Sequence, residues 1–135
     1  MDIVENIRNE LIRRKKKLGL AESCTGGAVA ARITSVPDAS LFFLGSIVAY
    51  SPGWKEQFLQ VSRKTLEEKS SESAEVVREM VVGLFAETEV DYAVAVSGFA
   101  GPGGGRSRGW SLWQWGSGEA LLKRSGWSFR GIEVR

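Results

Sequence analysis

Near the start of the chain, apolar residues recur at three- and four-residue spacing: Ile3, Val4, Ile7, Leu11 and Ile12. That period predicts an amphipathic helix. It closes in Arg13-Arg14-Lys15-Lys16-Lys17, a basic run suited to a helix C-terminus. The pattern then changes to short, continuously apolar runs: Leu18-Gly19-Leu20-Ala21, the stretch from Leu41 to Tyr50, and Tyr92-Ala93-Val94-Ala95-Val96. Runs apolar on both faces predict buried strands. Ala28 to Ile33 is helix material between the first two runs, and Pro37-Asp38 breaks it. After the second run Pro52-Gly53 predicts a turn. Thr65 and Glu68 have capping-box spacing for a short helical turn. Ser70 to Ser73 offer N-caps for a longer helix with Val76, Val77, Met80, Val81, Leu84 and Phe85 on one face. Strands alternating with helices define an α/β layered domain with a largely parallel sheet. In such sheets ligands bind beyond the carboxyl ends of the strands. All three clusters of small polar residues, 22–27, 50–55 and 97–105, lie at such ends.

Composition narrows the chemistry. The chain has 135 residues, 43% hydrophobic and 25% charged, which suits one globular core and contains no apolar run long enough to span a bilayer. It has no histidine and one cysteine, Cys24, so imidazole bases, His-ligated metals and intrachain disulfides are excluded. Met1-Asp2-Ile3-Val4-Glu5 is no secretory signal, and a cytoplasmic location is expected. The net charge of +2 hides a break. Acids exceed bases by two over residues 1–105. Over residues 106–135 six bases (Arg106, Arg108, Lys123, Arg124, Arg130, Arg135) face only Glu119 and Glu133, alongside Trp110, Trp113, Trp115 and Trp127. The basic run at 13–17 lacks interleaved aromatics, so nucleic acid is not an expected partner.

A nucleophile must therefore be Ser, Thr or Cys24, and its base Lys, Tyr, Asp or Glu. Ser23 sits on a strand-to-helix turn, near amides able to bind a phosphate or a developing oxyanion. The plainer alternative is that Ser23 or Thr25 caps the helix. Lys55, with Tyr50 before it, is the candidate base, which requires a pKa lowered by burial or by a neighbouring cation. A solvated lysine is the alternative. Cys24 is the stronger intrinsic nucleophile but is expected to point away and pack as a small hydrophobe. The glycine-rich stretch Gly98 to Gly105 lets backbone approach an anion, or is simply a turn; it fits no nucleotide-binding consensus.

Taken together, Ala21-Glu22-Ser23-Cys24-Thr25-Gly26-Gly27, then Gly45-Ser46-Ile47-Val48-Ala49-Tyr50-Ser51 with Lys55, then Val94 to Gly105, resemble the CinA C-terminal domain family across residues 5–105. The resemblance implies a three-layer α/β/α domain with a mostly parallel, mixed sheet. It also implies hydrolysis of the carboxamide of nicotinamide mononucleotide, giving nicotinic acid mononucleotide and ammonia. Ser23 would be the nucleophile, Lys55 the base and Tyr50 the residue that orients their exchange. Donors near Thr25 and Gly26 would hold the oxyanion, with Gly27 in the same turn. Ser97, where the family more often has threonine, would contact the nucleotide together with Gly98, and Gly101, Gly103 and Gly104 would lie along its phosphate. No cofactor and no metal is implied, and a homo-oligomer is expected. The runner-up is a non-catalytic nucleotide-binding or regulatory domain of the competence- or damage-inducible type.

After Gly105 the resemblance stops. The family's next strand and final helix have no counterpart in Arg106 to Arg135, which predicts an uncovered sheet edge, low stability and weak activity. The break fits a change of reading frame near codon 105. Read two bases later, with a TCN serine codon, Gly109 to Gly116 becomes Leu/Val/Met, Val, small, Leu/Val/Met, Ala, Val/Met, Gly, a buried-strand sequence. A genuine Trp/Arg-rich binding tail ranks below this, and disorder below that. Arg130 and Arg135 lie in a segment faintly similar to the family's arginine segment and are given no role.

Overall fold

The computed structural model describes residues 2–98 and the backbone of 119–123. Helix α1 (Ile3–Arg14) starts at Asp2, whose carboxylate accepts from the Val4 amide at 2.7 Å, and ends at Lys15 in the left-handed conformation (φ 55°). Strand β1 (Leu18–Glu22) is buried along its whole length. Helix α2 (Ala28–Ile33) follows, then a short 3-10 turn (Ala39–Leu41) and β2 (Phe43–Val48), shorter at both ends than the apolar run suggested. Three helices come next: α3 (Pro52–Leu59), α4 (Arg63–Glu68) and α5 (Ala74–Glu87). They lead into β3 (Tyr92–Val96).

Two local expectations are corrected. Pro52-Gly53 is the first turn of α3, with Ser51 as N-cap accepting from the Trp54 amide at 3.2 Å. Proline is well suited there, because its fixed φ is helical and its missing N–H would have had no partner. Similarly α4 is capped by Ser62 rather than by Thr65, since the Ser62 hydroxyl accepts from the Thr65 amide. The N-cap expected for α5 is Ser73, bonded to the Val76 amide at 3.3 Å.

The sheet has the order β2-β1-β3-β4, where β4 is Glu119–Lys123. The first three strands are parallel, and β4 runs antiparallel to β3, pairing Tyr92 with Lys123 and Val96 with Glu119. The β3 edge expected to be bare is therefore covered, by residues beyond the Trp-rich stretch. Ala120-Leu121-Leu122 is a short apolar run between charges, which is sufficient for an antiparallel edge strand. The altered strand proposed for 109–116, Arg130 and Arg135 lie outside the described residues.

Side-chain alternation divides the core into two layers. Leu18 and Leu20 of β1, with Tyr92 and Val94 of β3, face α1 and α2. Ala21, Ala93 and Ala95 face the other way, onto Val76, Val77, Met80, Val81 and Leu84 of α5. The small residues let α5 lie close to the sheet, with Leu59 of α3 and Leu66 of α4 against it. The chain is thus an α/β domain with helices on both faces of a mixed, mostly parallel sheet. No helix among the described residues is long and apolar enough to cross a membrane.

Candidate active site

The chain leaves β1 toward β2 on one side and returns to β3 on the other, so the strand order switches at β1. A crevice at that switch point, outside the carboxyl ends, is where open α/β sheets bind ligands. Two main-chain bonds continue the sheet past its regular end: the Ser23 amide donates to the Val96 carbonyl at 3.0 Å, and the Ala49 amide to the Glu22 carbonyl at 2.8 Å. Residues 22 and 23 are thereby fixed to both neighbouring strands. The turn then reverses through Gly26 (φ 59°) and Gly27 (φ 107°), left-handed conformations that side chains strain to adopt.

Lys55 comes in from α3, not from a loop. It is 0% exposed, and its Nζ donates to the Ser71 carbonyl at 2.6 Å and to Ser97 Oγ at 3.0 Å. Ser97, one residue past β3 and 5% exposed, donates in turn to the Ser71 carbonyl at 3.3 Å. Burial holds the Lys55 pKa below its ordinary value, because removing the ammonium from water disfavours the charged form. Glu72, half-buried, pulls in the opposite direction by attracting the cation, and Cys24 does so more weakly. With its amine bonded only to two neutral oxygens and in no salt bridge among the described residues, Lys55 gives up its proton more readily than a solvated lysine does.

The other expected residues are distributed unevenly. Ser23 is 4% exposed, and its hydroxyl makes a long 3.4 Å contact to the Tyr50 carbonyl. Tyr50 enters by its main chain, since its side chain is 69% exposed. Among the described residues no hydrogen bond joins Ser23 Oγ, or the Tyr50 phenol, to Lys55. The Ser97 hydroxyl, expected on a nucleotide, is turned onto Lys55. Thr25 gives its hydroxyl to Glu22 at 2.8 Å. The Gly26 amide, expected among the oxyanion donors, is committed to the Ser23 carbonyl at 3.0 Å. Gly98 follows Ser97 and is half-buried; Gly101, Gly103 and Gly104 lie outside the described residues.

Cys24 departs from expectation. Its half-buried thiol is near enough to Lys55 for the two to interact electrostatically, and the Cys24 and Thr25 amides reach it. Burial outweighs these stabilising neighbours and raises the thiol pKa, so the sulfur stays protonated at neutral pH and is a poor nucleophile.

Four contributors were missed by sequence reasoning. The Ser71 carbonyl is main chain and leaves no trace in residue type. Glu72 is one acid among many. Glu22 and Ser46 stand inside the quoted motifs, but only the fold reveals that Ser46 Oγ donates to the Glu22 carboxylate at 2.7 Å.

Fold and site together define a histidine-free α/β domain whose buried lysine, its pKa lowered, is held by a serine hydroxyl and a main-chain carbonyl at the strand ends. The model of the CinA C-terminal domain matches residues 1–109, and the chain belongs to that family. It is 43% identical over 104 residues to a CinA-like protein of Leptospira borgpetersenii serovar Hardjo-bovis (strain L550), covering 77% of this chain and 25% of that protein. It is 47% identical over 92 residues to a CinA-like protein of Thermotoga sp. (strain RQ2), covering 68% and 22%. The chain thus spans about a quarter of the length of these curated relatives. Among solved structures it is similar to the competence damage-inducible protein A (ComA) of Klebsiella pneumoniae, with TM-score 0.78, 34% identity, and 91% and 74% of the two chains covered. The competence/damage inducible protein CihA of Agrobacterium tumefaciens gives TM-score 0.74 and 31% identity, with 77% and 63% covered.

Proposed function

We infer that the domain hydrolyses a carboxamide, with nicotinamide mononucleotide as substrate and nicotinic acid mononucleotide and ammonia as products. The observation that carries this reading is the buried Lys55 amine, its pKa lowered by desolvation, at the same strand ends as Ser23. Ser23 Oγ attacks the amide carbon while its proton passes to neutral Lys55. Ser97, hydrogen-bonded to Lys55, holds the amine at the carboxyl end of β3. The Cys24 and Thr25 amides, which reach only the weakly accepting Cys24 sulfur, are the candidate oxyanion donors in place of the Gly26 amide committed to the Ser23 carbonyl. Lys55 then returns the proton to the leaving nitrogen, which departs as ammonia and leaves an ester on Ser23. Water, activated by Lys55, hydrolyses the ester and regenerates the hydroxyl. No metal enters this scheme.

The non-catalytic reading relies on strand-end amides to cradle a phosphate. It is weakened at α2, where the Val29 and Ala30 amides already donate to Glu22 at 2.9 and 3.2 Å. Ammonia release from nicotinamide mononucleotide, by this chain and by Ser23→Ala, tests the choice. Turnover lost in the variant is the expected result; binding without turnover in the parent supports the runner-up instead.

A second expectation concerns pH. Lys55 acts as base when unprotonated, so kcat/KM rises with pH through its pKa. The Glu72 carboxylate holds that pKa up. Glu72→Gln should therefore move the rising limb of the profile to lower pH. A limb that stays in place or moves upward removes Lys55 from the role of base.

A homo-oligomer is also proposed. It is supported by the outer edge of β2, which no strand among the described residues covers, and by exposed Leu44, Trp54 and Phe58 nearby in the chain.

A further inference from the structure

Glu22 is 0% exposed, yet no lysine or arginine pairs with it among the described residues. Four donors surround its carboxylate. Oε1 accepts from Thr25 Oγ1 at 2.8 Å and from the Val29 amide at 2.9 Å. Oε2 accepts from Ser46 Oγ at 2.7 Å and from the Ala30 amide at 3.2 Å. These partners belong to the reactive turn, the first residues of α2 and strand β2, and the Glu22 carbonyl binds β2 again through Ala49. A buried carboxylate without a countercharge is costly, and simple packing would be met by an apolar side chain. A fully satisfied set of converging donors instead fixes one geometry.

We propose that Glu22 is the positioning residue for Ser23: its carboxylate locks the 23–27 turn onto β2 and α2 so that the hydroxyl stands in register with the Lys55 site. This rests on Ser23 being the nucleophile. Glutamine cannot substitute. Each carboxylate oxygen faces one hydroxyl and one amide N–H, and only the hydroxyl can rotate to accept from an NH2 group. Either orientation of a glutamine side chain at this position therefore sets its own N–H against a main-chain N–H. The effect is geometric, since Glu22 is not among the charges acting on Lys55.

The test is covalent labelling of Ser23 by diisopropyl fluorophosphate, followed by intact mass and rate in the parent, Glu22→Gln and Ser46→Ala. In the reaction the Ser23 O–P bond forms, P–F breaks, fluoride leaves and the serine proton goes to Lys55. Misplacement by about 1 Å costs roughly 100-fold. Glu22→Gln should lose about that factor in the maximal labelling rate, and Ser46→Ala, which removes one hydroxyl and keeps the fold, about tenfold. The half-saturating probe concentration and the pH midpoint should not move in either. A merely structural role would lower the folded fraction and leave the rate per folded molecule intact. Parental rates per folded molecule in both variants overturn the inference alone. If Glu22→Gln does not fold, a parental rate in Ser46→Ala suffices to overturn it. A parent that neither labels nor releases ammonia overturns the Ser23 reading and this inference with it.

Discussion

Gly83→Ala should strip the fold of a large part of its stability. In the interior of α5 this exchange would ordinarily stabilise by about 1 kcal/mol, because alanine is the better helix former. Here a Cβ would stand 1.7 Å from the Leu59 carbonyl oxygen and 2.5 Å from its carbon, both main-chain atoms at the end of α3. No rotamer relieves such a contact; the two helices must separate. Overpacking a core costs about 1–3 kcal/mol when side chains can give way, and here they cannot. A loss above about 3 kcal/mol is a large part of a typical stability of roughly 5–15 kcal/mol. It should appear as a drop of at least about 12 °C in melting temperature. Gly53→Ala is the control, since nothing but Ser51 Oγ at 4.0 Å lies near its Cβ position. Melting of Gly83→Ala at the parental temperature would mean that α3 and α5 do not approach so closely. α3 carries Lys55, so the same contact sets how deeply that lysine is buried.

Lys55→Met should abolish turnover while raising the melting temperature at neutral pH. Removing either half of a nucleophile–base pair typically costs a factor of about 1000 or more, and Ser23→Ala should match it. The stability effect has the opposite sign. Burial lowers the folded pKa of Lys55 from its ordinary 10.5. Between the lowered value and 10.5 the unfolded chain therefore binds more protons than the folded one. Stability then rises with pH through that window, and the buried ammonium is a full burden only below it. Methionine keeps the volume without the charge, and Ser97 can still donate to the Ser71 carbonyl. The variant's advantage should be largest at neutral pH and fade as pH approaches 10.5. A lower melting temperature at neutral pH would show that the Lys55 hydrogen bonds outweigh its desolvation.

What was legible in the chain follows from which interactions are local. The three apolar runs and the periodic face of α5 mark themselves, because burial on both faces or on one stripe leaves a pattern in residue type. The strand ends followed, and with them the placement of Ser23, Lys55 and Ser97 at one end of the sheet. Pro52-Gly53 misled because the dipeptide suits both a turn and the opening of a helix, and only Ser51 as N-cap decides between them. The hydrogen bonds of Ser97 were hidden because its partners are 26 and 42 residues away. Glu22 was invisible for a related reason. An acid at a strand end reads as solvated, and its burial depends on Thr25, Ser46 and α2 arriving together. Glu119 to Lys123 shows that a sheet edge can recruit a strand from a stretch whose composition departs from the rest of the domain.

The long separations within the site have a kinetic consequence. Its hydrogen bonds join residues 24, 26 and 42 positions apart, across β1, β2, β3, α3 and the segment before α5. Such contacts form late, because ordering the intervening chain must come first. α1, α2 and α5 can each form their own turns before any of this is assembled. A partly folded chain therefore contains Ser23 and Lys55 without the burial that lowers the lysine pKa. On the proposed mechanism, a nascent or damaged copy in which these strand ends have not yet come together should carry an inert serine.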